Sequence, residues 1–137
     1  MRQEKIMVKF FAIILLLSLV CFTALAKNAT MAECISLTTE VNKSLPQMAD
    51  KVTMLEGAAC LPSGKRVILL YRMRLVVSKK DLPNYSTTKL KNMLIQTWCT
   101  SPDQREILEV LDIRYNYLDK LGSFIEEIDV KILDCTN

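Results

Sequence analysis

Two runs of alternating apolar and polar residues, within residues 110–135, constrain the fold of this chain more than any other feature. Apolar side chains occupy alternate positions of the first run at Leu111, Ile113, Tyr115 and Tyr117, and one parity of the second at Phe124, Ile128, Val130 and Ile132. Between the runs, Asp119 to Gly122 has the composition of a tight turn. A period of two is typical of a half-buried strand, so the pattern predicts a β-hairpin whose apolar face the rest of the chain covers.

The first 26 residues have the pattern of a secretory signal peptide. A basic start is followed by an apolar run, Phe10 to Phe22, and then by small residues at Ala24 and Ala26. We therefore expect a signal peptide at residues 1–26 and a single mature domain at residues 27–137. Two alternatives stay open, an uncleaved membrane anchor and a lipid-modified cysteine at Cys21.

The charge of the mature chain gives no reason to expect a nucleic-acid partner. The full sequence of 137 residues has a formal net charge of +3. Removing residues 1–26 takes away three basic residues and one acidic residue, which lowers the net charge to +1. No basic patch interleaved with aromatic residues stands out in the remainder, so the lysines are interpreted as ordinary solvated surface.

The cysteines predict an oxidising compartment. Four remain after the signal peptide, at Cys34, Cys60, Cys99 and Cys135. An even number after a signal peptide is typical of disulfides in an exported protein. No C-x-x-C occurs, which argues against a zinc knuckle or a thioredoxin-type pair. Three connectivities are possible, and the spacing does not choose among them.

The first half of the mature chain predicts a helix followed by two strands. Thr30 and Glu33 form a capping-box pattern that opens a helix from about Met31 to Lys43. Residues 53–60 and 66–77 then flank a turn at residues 61–65. The second of these runs alternates well, whereas the first contains a Gly-Ala-Ala segment of low strand preference.

The second half predicts a broken helix followed by the C-terminal hairpin. Ser86 or Thr87 caps a helix that contains Trp98, and Ser101 to Gln104 resembles a second capping box with proline at the first helical position. The order is therefore α-β-β-α-β-β. We expect an α+β two-layer sandwich, with an antiparallel sheet of about four strands and helices on one face.

Candidate catalytic residues are few. The sequence contains no histidine, which excludes Ser-His-Asp and Cys-His systems and removes the commonest metal ligand. No glycine-rich phosphate loop occurs, so neither a cofactor nor a metal is expected. Asp112, Glu127 and Asp129 could form a paired-carboxylate site, and an unpaired cysteine could supply a thiolate nucleophile. The hydrated face of a half-buried sheet explains the carboxylates more simply, and we predict a protein that is not an enzyme.

Candidate interaction residues are equally few. Arg72 and Arg74 lie on the solvent side of a predicted strand and could bind an acidic partner. Trp98 is interpreted first as a core residue and second as an interface anchor. Asn28, Asn42 and Asn84 each begin an N-x-[ST] sequence, which would accept glycans in a secreted eukaryotic protein.

Three short motifs resemble a group of small exported bacterial proteins of unassigned function. They are Cys99-x-x-Pro102-x-x-Arg105, Tyr115-x-Tyr117 and the closing Asp134-Cys135. The resemblance implies residence in the periplasm or at the cell surface, and a bridge between Cys99 and Cys135. The remaining cysteines, Cys34 and Cys60, would then pair with each other.

The leading functional hypothesis is an exported, non-catalytic binding protein of the bacterial envelope, of the immunity, inhibitor, entry-exclusion or secretion-assembly type. Its partner would be another envelope protein or an exported toxin, and it would meet the membrane only transiently, through its signal peptide. The alternatives are a secreted hydrolase that uses carboxylates or a free thiol, and a secreted eukaryotic glycoprotein ligand.

Overall fold

A computed structural model of the protein describes residues 28–82 and 85–136. The predicted signal peptide, Cys21 and the N-x-[ST] residue Asn84 lie outside the described residues. The described helices are α1 (Met31–Asn42), α2 (Thr87–Thr100) and α3 (Pro102–Val110). The described strands are β1 (Gln47–Met48), β2 (Thr53–Ser63), β3 (Arg66–Leu75), β4 (Asp112–Leu118) and β5 (Phe124–Val130). Short 3-10 helices occur at Lys79–Asp81 and Ile132–Thr136.

The described part of the chain confirms the α+β class but corrects the predicted sheet. The five strands pair in the order β1-β2-β3-β4-β5, and the element order is α-β-β-β-α-α-β-β. Strand β1 has only two residues, too few for a periodic pattern to reveal it.

The sheet is mixed and not antiparallel, because β3 and β4 run parallel. The chain leaves β3 at Leu75, crosses through α2 and α3, and returns to the start of β3 before it enters β4. A helical crossover of this length permits parallel pairing. Each hairpin was predictable from its own residues. The alternation of apolar and polar residues along one strand does not indicate whether the strand beside it in the sheet runs parallel or antiparallel.

The predicted helix starts are confirmed except for one capping box. The Thr30 side chain accepts from the Glu33 amide, while the Glu33 carboxylate accepts from the Thr30 amide at 2.7 Å. Ser86 caps α2 by accepting from the Lys89 amide. Ser101 precedes α3 without a side-chain cap, so the second box is wrong. Gln104 is buried and does not reach back to close it.

The C-terminal turn is confirmed, whereas the turn predicted at residues 61–65 is shorter than expected, because residues 61–63 pair with β3 and belong to β2. Ser63 pairs with Arg66, which leaves Gly64 and Lys65 as a two-residue loop with Gly64 at a φ of 58°. In the C-terminal turn, Gly122 has a φ of 90°. The Asp119 carboxylate accepts from the backbone amides of Leu121 and Ser123, at 2.8 and 2.9 Å. Such side-chain bonding to the following amides is the reason aspartate favours turns.

The core lies between one face of the sheet and the helices. It contains the alternating apolar residues of β3 and β4 together with helix residues such as Cys34, Leu94, Trp98 and Leu108. Trp98 Nε1 donates to the Tyr115 hydroxyl at 2.7 Å, which satisfies the indole where α2 crosses the sheet. This packing confirms the prediction that the helices cover one face.

Two disulfides fasten the helical layer to the sheet and to the C-terminal segment. Cys34 in α1 is joined to Cys60 in β2, and Cys99 in α2 is joined to Cys135 in the final 3-10 helix. These are the pairs that the sequence resemblance implies. Bridges of this kind persist in oxidising compartments, so they indicate a location outside the cytoplasm.

The outer edge of β2 is protected where β1 ends. The Asn42 side chain donates to the Ala58 carbonyl and accepts from the Ala58 amide, both at 2.9 Å. The Asn42 side chain thereby satisfies the two backbone groups of Ala58 that a neighbouring strand would otherwise bond to. Further along, Pro62 lacks an N–H to offer, and both devices are ways in which proteins block unwanted strand pairing.

Within the described residues, no helix has the length and apolar character needed to cross a membrane.

Candidate functional site

The side of the sheet opposite the helices is the candidate interaction surface. We call it the uncovered face, and strand register arranges its side chains in rows across the sheet. One row contains Gly57, Arg72, Asn116 and Glu127. The next contains Ala59, Leu70, Arg114 and Asp129. The face therefore carries charged groups next to small and apolar side chains.

Three arginines of this face are held by carboxylates. Arg114 Nε lies 2.7 Å from Asp129 Oδ1 and 3.2 Å from Glu127 Oε1. Arg66 Nε lies 3.0 Å from Asp112 Oδ1, and its other nitrogens donate to the Leu108 and Glu109 carbonyls. Arg74 pairs with Glu56.

The three candidate carboxylates therefore serve as ion-pair partners. The hydrogen bond from Arg114 lowers the pKa of Asp129, so this group is ionised at neutral pH. A glycosidase pair requires one carboxylic acid whose pKa is raised, next to an ionised one. Burial does raise the pKa of a carboxyl in β5, but that group is Glu126, which pairs across the sheet with the core residue Tyr117. The arrangement gives no support to the carboxylate hydrolase.

Among the described residues, no cysteine is free to act as the nucleophile of a thiol hydrolase. Cys34, Cys60, Cys99 and Cys135 are all in disulfides. In residues 28–82 and 85–136, no group of three or more side chains is arranged to bind a metal ion.

Arg72 differs from its neighbours because it has no partner among the residues that the structure describes. Its side chain is exposed, and it borders a depression of about 260 Å³ in the uncovered face. The depression is lined by Gly57, Ala58, Ala59, Leu70, Arg72 and Asn116. Of the predicted interaction residues, Arg72 is the one that lies at this site.

The depression exists because β2 has a bulge and small side chains. The register with β3 shifts between Leu55 and Gly57. No atom lies within 4 Å of a Cβ added at Gly57, so the space above this residue is open. The sequence showed Gly57-Ala58-Ala59 only as a weak strand. The sequence did offer one signal for the depression. Small residues occupy part of one predicted strand, and Arg72 lies on the solvent side of the next.

Asn116 supplies a second polar group to the depression. Its Oδ1 atom is buried and has no hydrogen-bond partner in the described residues. An unsatisfied buried acceptor costs about 1–3 kcal/mol. A ligand N–H or O–H that donates to Oδ1 would recover part of that cost, whereas a ligand acceptor would not.

The other two predicted interaction residues have structural roles. Arg74 is paired with Glu56, and its guanidinium lies above Gly122, with Nη1 3.0 Å from a Cβ built at that glycine. Trp98 is 3% exposed and bonded to Tyr115, so it stabilises the core. Neither side chain is both exposed and without an ion pair, as Arg72 is among the described residues.

The strand tyrosines belong to the core, as predicted. The rings of Tyr71 and Tyr115 are 5.4 Å apart, and those of Tyr115 and Tyr117 are 6.3 Å apart. Burial raises the pKa of Tyr71 to about 12 and also raises the pKa values of Tyr115 and Tyr117. All three hydroxyls therefore stay neutral across the physiological pH range.

Comparison with solved structures shows that several bacterial proteins share this fold. The pilotin EpsS of the Vibrio vulnificus type 2 secretion system has a TM-score of 0.63 at 16% sequence identity, with 78% of this chain and 92% of the pilotin covered. The fold resembles that of type II secretion pilotins. A second example, AspS of Vibrio cholerae, has a TM-score of 0.58 at 13% identity, with 77% and 91% covered.

A Pseudomonas aeruginosa protein described as secreted has a TM-score of 0.64 at 11% identity, with 77% of this chain and 91% of that protein covered. These identities establish a shared fold. No family model matches the chain, and no curated protein matches it in sequence.

Proposed function

We propose that this chain is an exported, non-catalytic binding protein of the bacterial envelope that serves the assembly of a protein secretion apparatus. The observation that carries the proposal is the fold, shared over more than three quarters of the chain with two type II secretion pilotins. The partner would be an envelope protein of that apparatus, bound at the uncovered face of the sheet.

The location follows from the chain itself. The disulfides require an oxidising compartment, and the leading segment has the pattern of a signal peptide. We infer residence in the periplasm or at the cell surface. Retention by an uncleaved segment or by a lipid on Cys21 would keep the domain at the membrane, which suits an assembly role equally well.

The glycoprotein alternative is weaker because two of its acceptor residues have structural explanations. The Asn42 amide bonds to both backbone groups of Ala58. Asn28 Nδ2 donates to the Lys65 carbonyl, and its Oδ1 accepts from Arg66. Asparagine at these positions stabilises the fold without any glycan. Immunity, inhibitor and entry-exclusion roles use the same kind of surface, and identification of the partner separates them from secretion assembly.

Site-specific photo-crosslinking tests the proposal. A photoreactive amino acid replaces Ala59, which is exposed on the uncovered face, and in a matched control replaces Glu106, which is exposed on α3. In the bacterial host, we expect the Ala59 position to form a covalent adduct with a component of a secretion apparatus, and the Glu106 position to form none. Mass spectrometry identifies the adduct.

A gene deletion supplies the functional readout. Loss of the protein should reduce the amount of exported protein that reaches the medium, and the wild-type gene should restore it. Unchanged secretion, or a crosslinked partner that is a toxin or an unrelated enzyme, would contradict the assembly role.

A further inference from the structure

One described arginine of the uncovered face forms no ion pair with the carboxylates of that face. Within the described residues, Arg114 is held by Asp129 and Glu127, Arg66 by Asp112, and Arg74 by Glu56. Arg72 lies in the middle of the same face and has no such partner. The nearest carboxylate in its row, Glu127, is two strands away and contacts Arg114 at 3.2 Å.

The depression next to Arg72 has the composition needed to receive a short side chain that ends in a negative charge. Ala59 and Leu70 lie in one row and provide apolar contact for methylene groups. Gly57 leaves open space beside the guanidinium, because nothing lies within 4 Å of a Cβ at that position. A carboxylate that enters here would be partly shielded from water, and arginine can bind it through two parallel N–H groups.

Asn116 provides a second polar group in the depression, next to Arg72. It lies opposite Arg72 in the strand register, and its side-chain oxygen lacks a hydrogen-bond partner in the described residues. Rotation of the amide can present either a donor to the carboxylate or an acceptor to a neighbouring N–H of the ligand.

We propose that this depression binds an aspartate or glutamate side chain from the protein partner. Arg72 would bind the carboxylate, Asn116 would hydrogen-bond to it or to the adjacent peptide group, and Ala59 and Leu70 would contact its stem. This inference rests on the proposed function, since it specifies the chemistry of the partner at the same face. The exposed guanidinium selects an anionic occupant, because among the four described arginines of this face Arg72 is the one that forms no ion pair, while Arg114 takes up two carboxylates. Arginine is also enriched among the hot spots of protein interfaces.

An NMR titration tests the proposal with small probes. The oxidised domain, labelled with nitrogen-15, is titrated with the blocked peptide acetyl-Ala-Glu-Ala-amide and with its Gln counterpart. A third probe, acetyl-Ala-Ala-Ala with a free carboxyl end, distinguishes a terminal carboxylate from a side-chain carboxylate. We expect the Glu peptide to shift the amide signals of Gly57, Ala59 and Leu70 and the Asn116 side-chain signal, with a dissociation constant on the order of millimolar.

Variants establish which residues bind the probe. Arg72→Gln should weaken binding of the Glu peptide about tenfold, because a charge-assisted bidentate pair is lost. Arg105→Gln removes the same charge from an exposed position on α3 and should leave binding unchanged. Asn116→Asp places a carboxylate beside Arg72 and should abolish binding, since the internal pair occupies the guanidinium. Thermal unfolding confirms that each variant is folded, and Arg72 makes no described contact whose loss would destabilise the chain.

Equal binding of the Glu and Gln peptides, no weakening by Arg72→Gln, or shifts with the free-carboxyl peptide alone would each overturn the proposal. The result is separable from the proposed function. If the Ala59 crosslink to a secretion component persists while the Glu peptide does not bind, the acidic-side-chain inference fails and the assembly role stands. If the peptide binds as expected while secretion is unaffected by the deletion, the assembly role fails and the carboxylate site stands.

Discussion

At the scale of single residues, the described arginines of the sheet divide into paired and unpaired side chains. Arg114 sits directly opposite Asp129 across the β4–β5 pair, so register alone brings the two together. Arg72 is opposite Gly57 on one side and Asn116 on the other, and neither can neutralise it. Alternation along one strand could not distinguish Arg72 from Arg74. The difference depends on which side chain each arginine meets on the neighbouring strand.

The Arg114–Asp129 pair predicts an acid-sensitive contribution to stability. Its hydrogen bond lowers the pKa of Asp129 in the folded state below the unfolded value of about 3.9. The stabilisation is therefore present above that unfolded value and is lost as the pH falls through the folded pKa. Asp129→Asn should lower the free energy of unfolding at pH 7 and make its decline between about pH 5 and pH 2 shallower. Urea unfolding at several pH values measures both effects.

A matched control is Asp81→Asn, since Asp81 is exposed and has no arginine partner in the described residues. Its pH profile should follow that of the wild type. The same acid dependence in the wild type and in the Asp129 variant would show that the ion pair does not stabilise the folded state.

At the scale of elements, local signals located the helices and turns. The Thr30–Glu33 box forms as the sequence indicates, because both of its bonds lie within one helical turn. The similar pattern at Ser101 does not form a box, since Gln104 is buried at 5% exposure. The side chain lies in the interior and not at the start of the helix, so the local cap does not form.

The Cys99–Cys135 bridge connects α2 to the last 3-10 helix and should contribute strongly to stability. Cys99→Ser is expected to lower the free energy of unfolding of the oxidised domain by about 2–5 kcal/mol, chiefly because the unfolded chain gains conformational freedom. Cys135→Ser should cost a similar amount, and the double variant should lose no more than either single variant. Chemical denaturation measures all three, and an unchanged midpoint in the single variants would show that the bridge does not stabilise the domain.

At the scale of the whole molecule, the two ends of the sheet carry different features: the first described residues lie at one end, and a turn with exposed apolar side chains lies at the other. The first described residues bond near the β2–β3 loop, where the Asn28 side chain donates to the Lys65 carbonyl and the Ala29 amide to the Val110 carbonyl. The β4–β5 turn lies at the opposite end and exposes Leu121 and Phe124, at 82% and 64%. A leader attached to the first end would leave the β4–β5 turn at the end of the domain far from the attachment point.

The crossover places β3 and β4 in the centre of the sheet, which predicts a gradient of backbone stability. Each is paired on both sides, whereas β5 is paired on one side and β1 has two residues. Native-state hydrogen exchange should therefore be slowest in β3 and β4 and faster in β5 and β1. Equal protection in β5 and β3 would mean that another element or a second molecule covers the β5 edge.

The sequence by itself determined the α+β class, the first capping box, the C-terminal turn and the pairing within the two hairpins. These depend on interactions between residues a few positions apart, or on composition. Only the tertiary structure decided the parallel β3–β4 pairing, the burial of Gln104 and the site around Arg72. Each of these depends on contacts between segments distant in the chain, and a period of two along a strand carries no information about its neighbour. The C-terminal hairpin is the clearest case. Its alternation predicted Phe124 on the covered face with Ile128 and Val130, whereas the register irregularity at Tyr117 and Leu118 pairs Phe124 with Leu118 and leaves it 64% exposed.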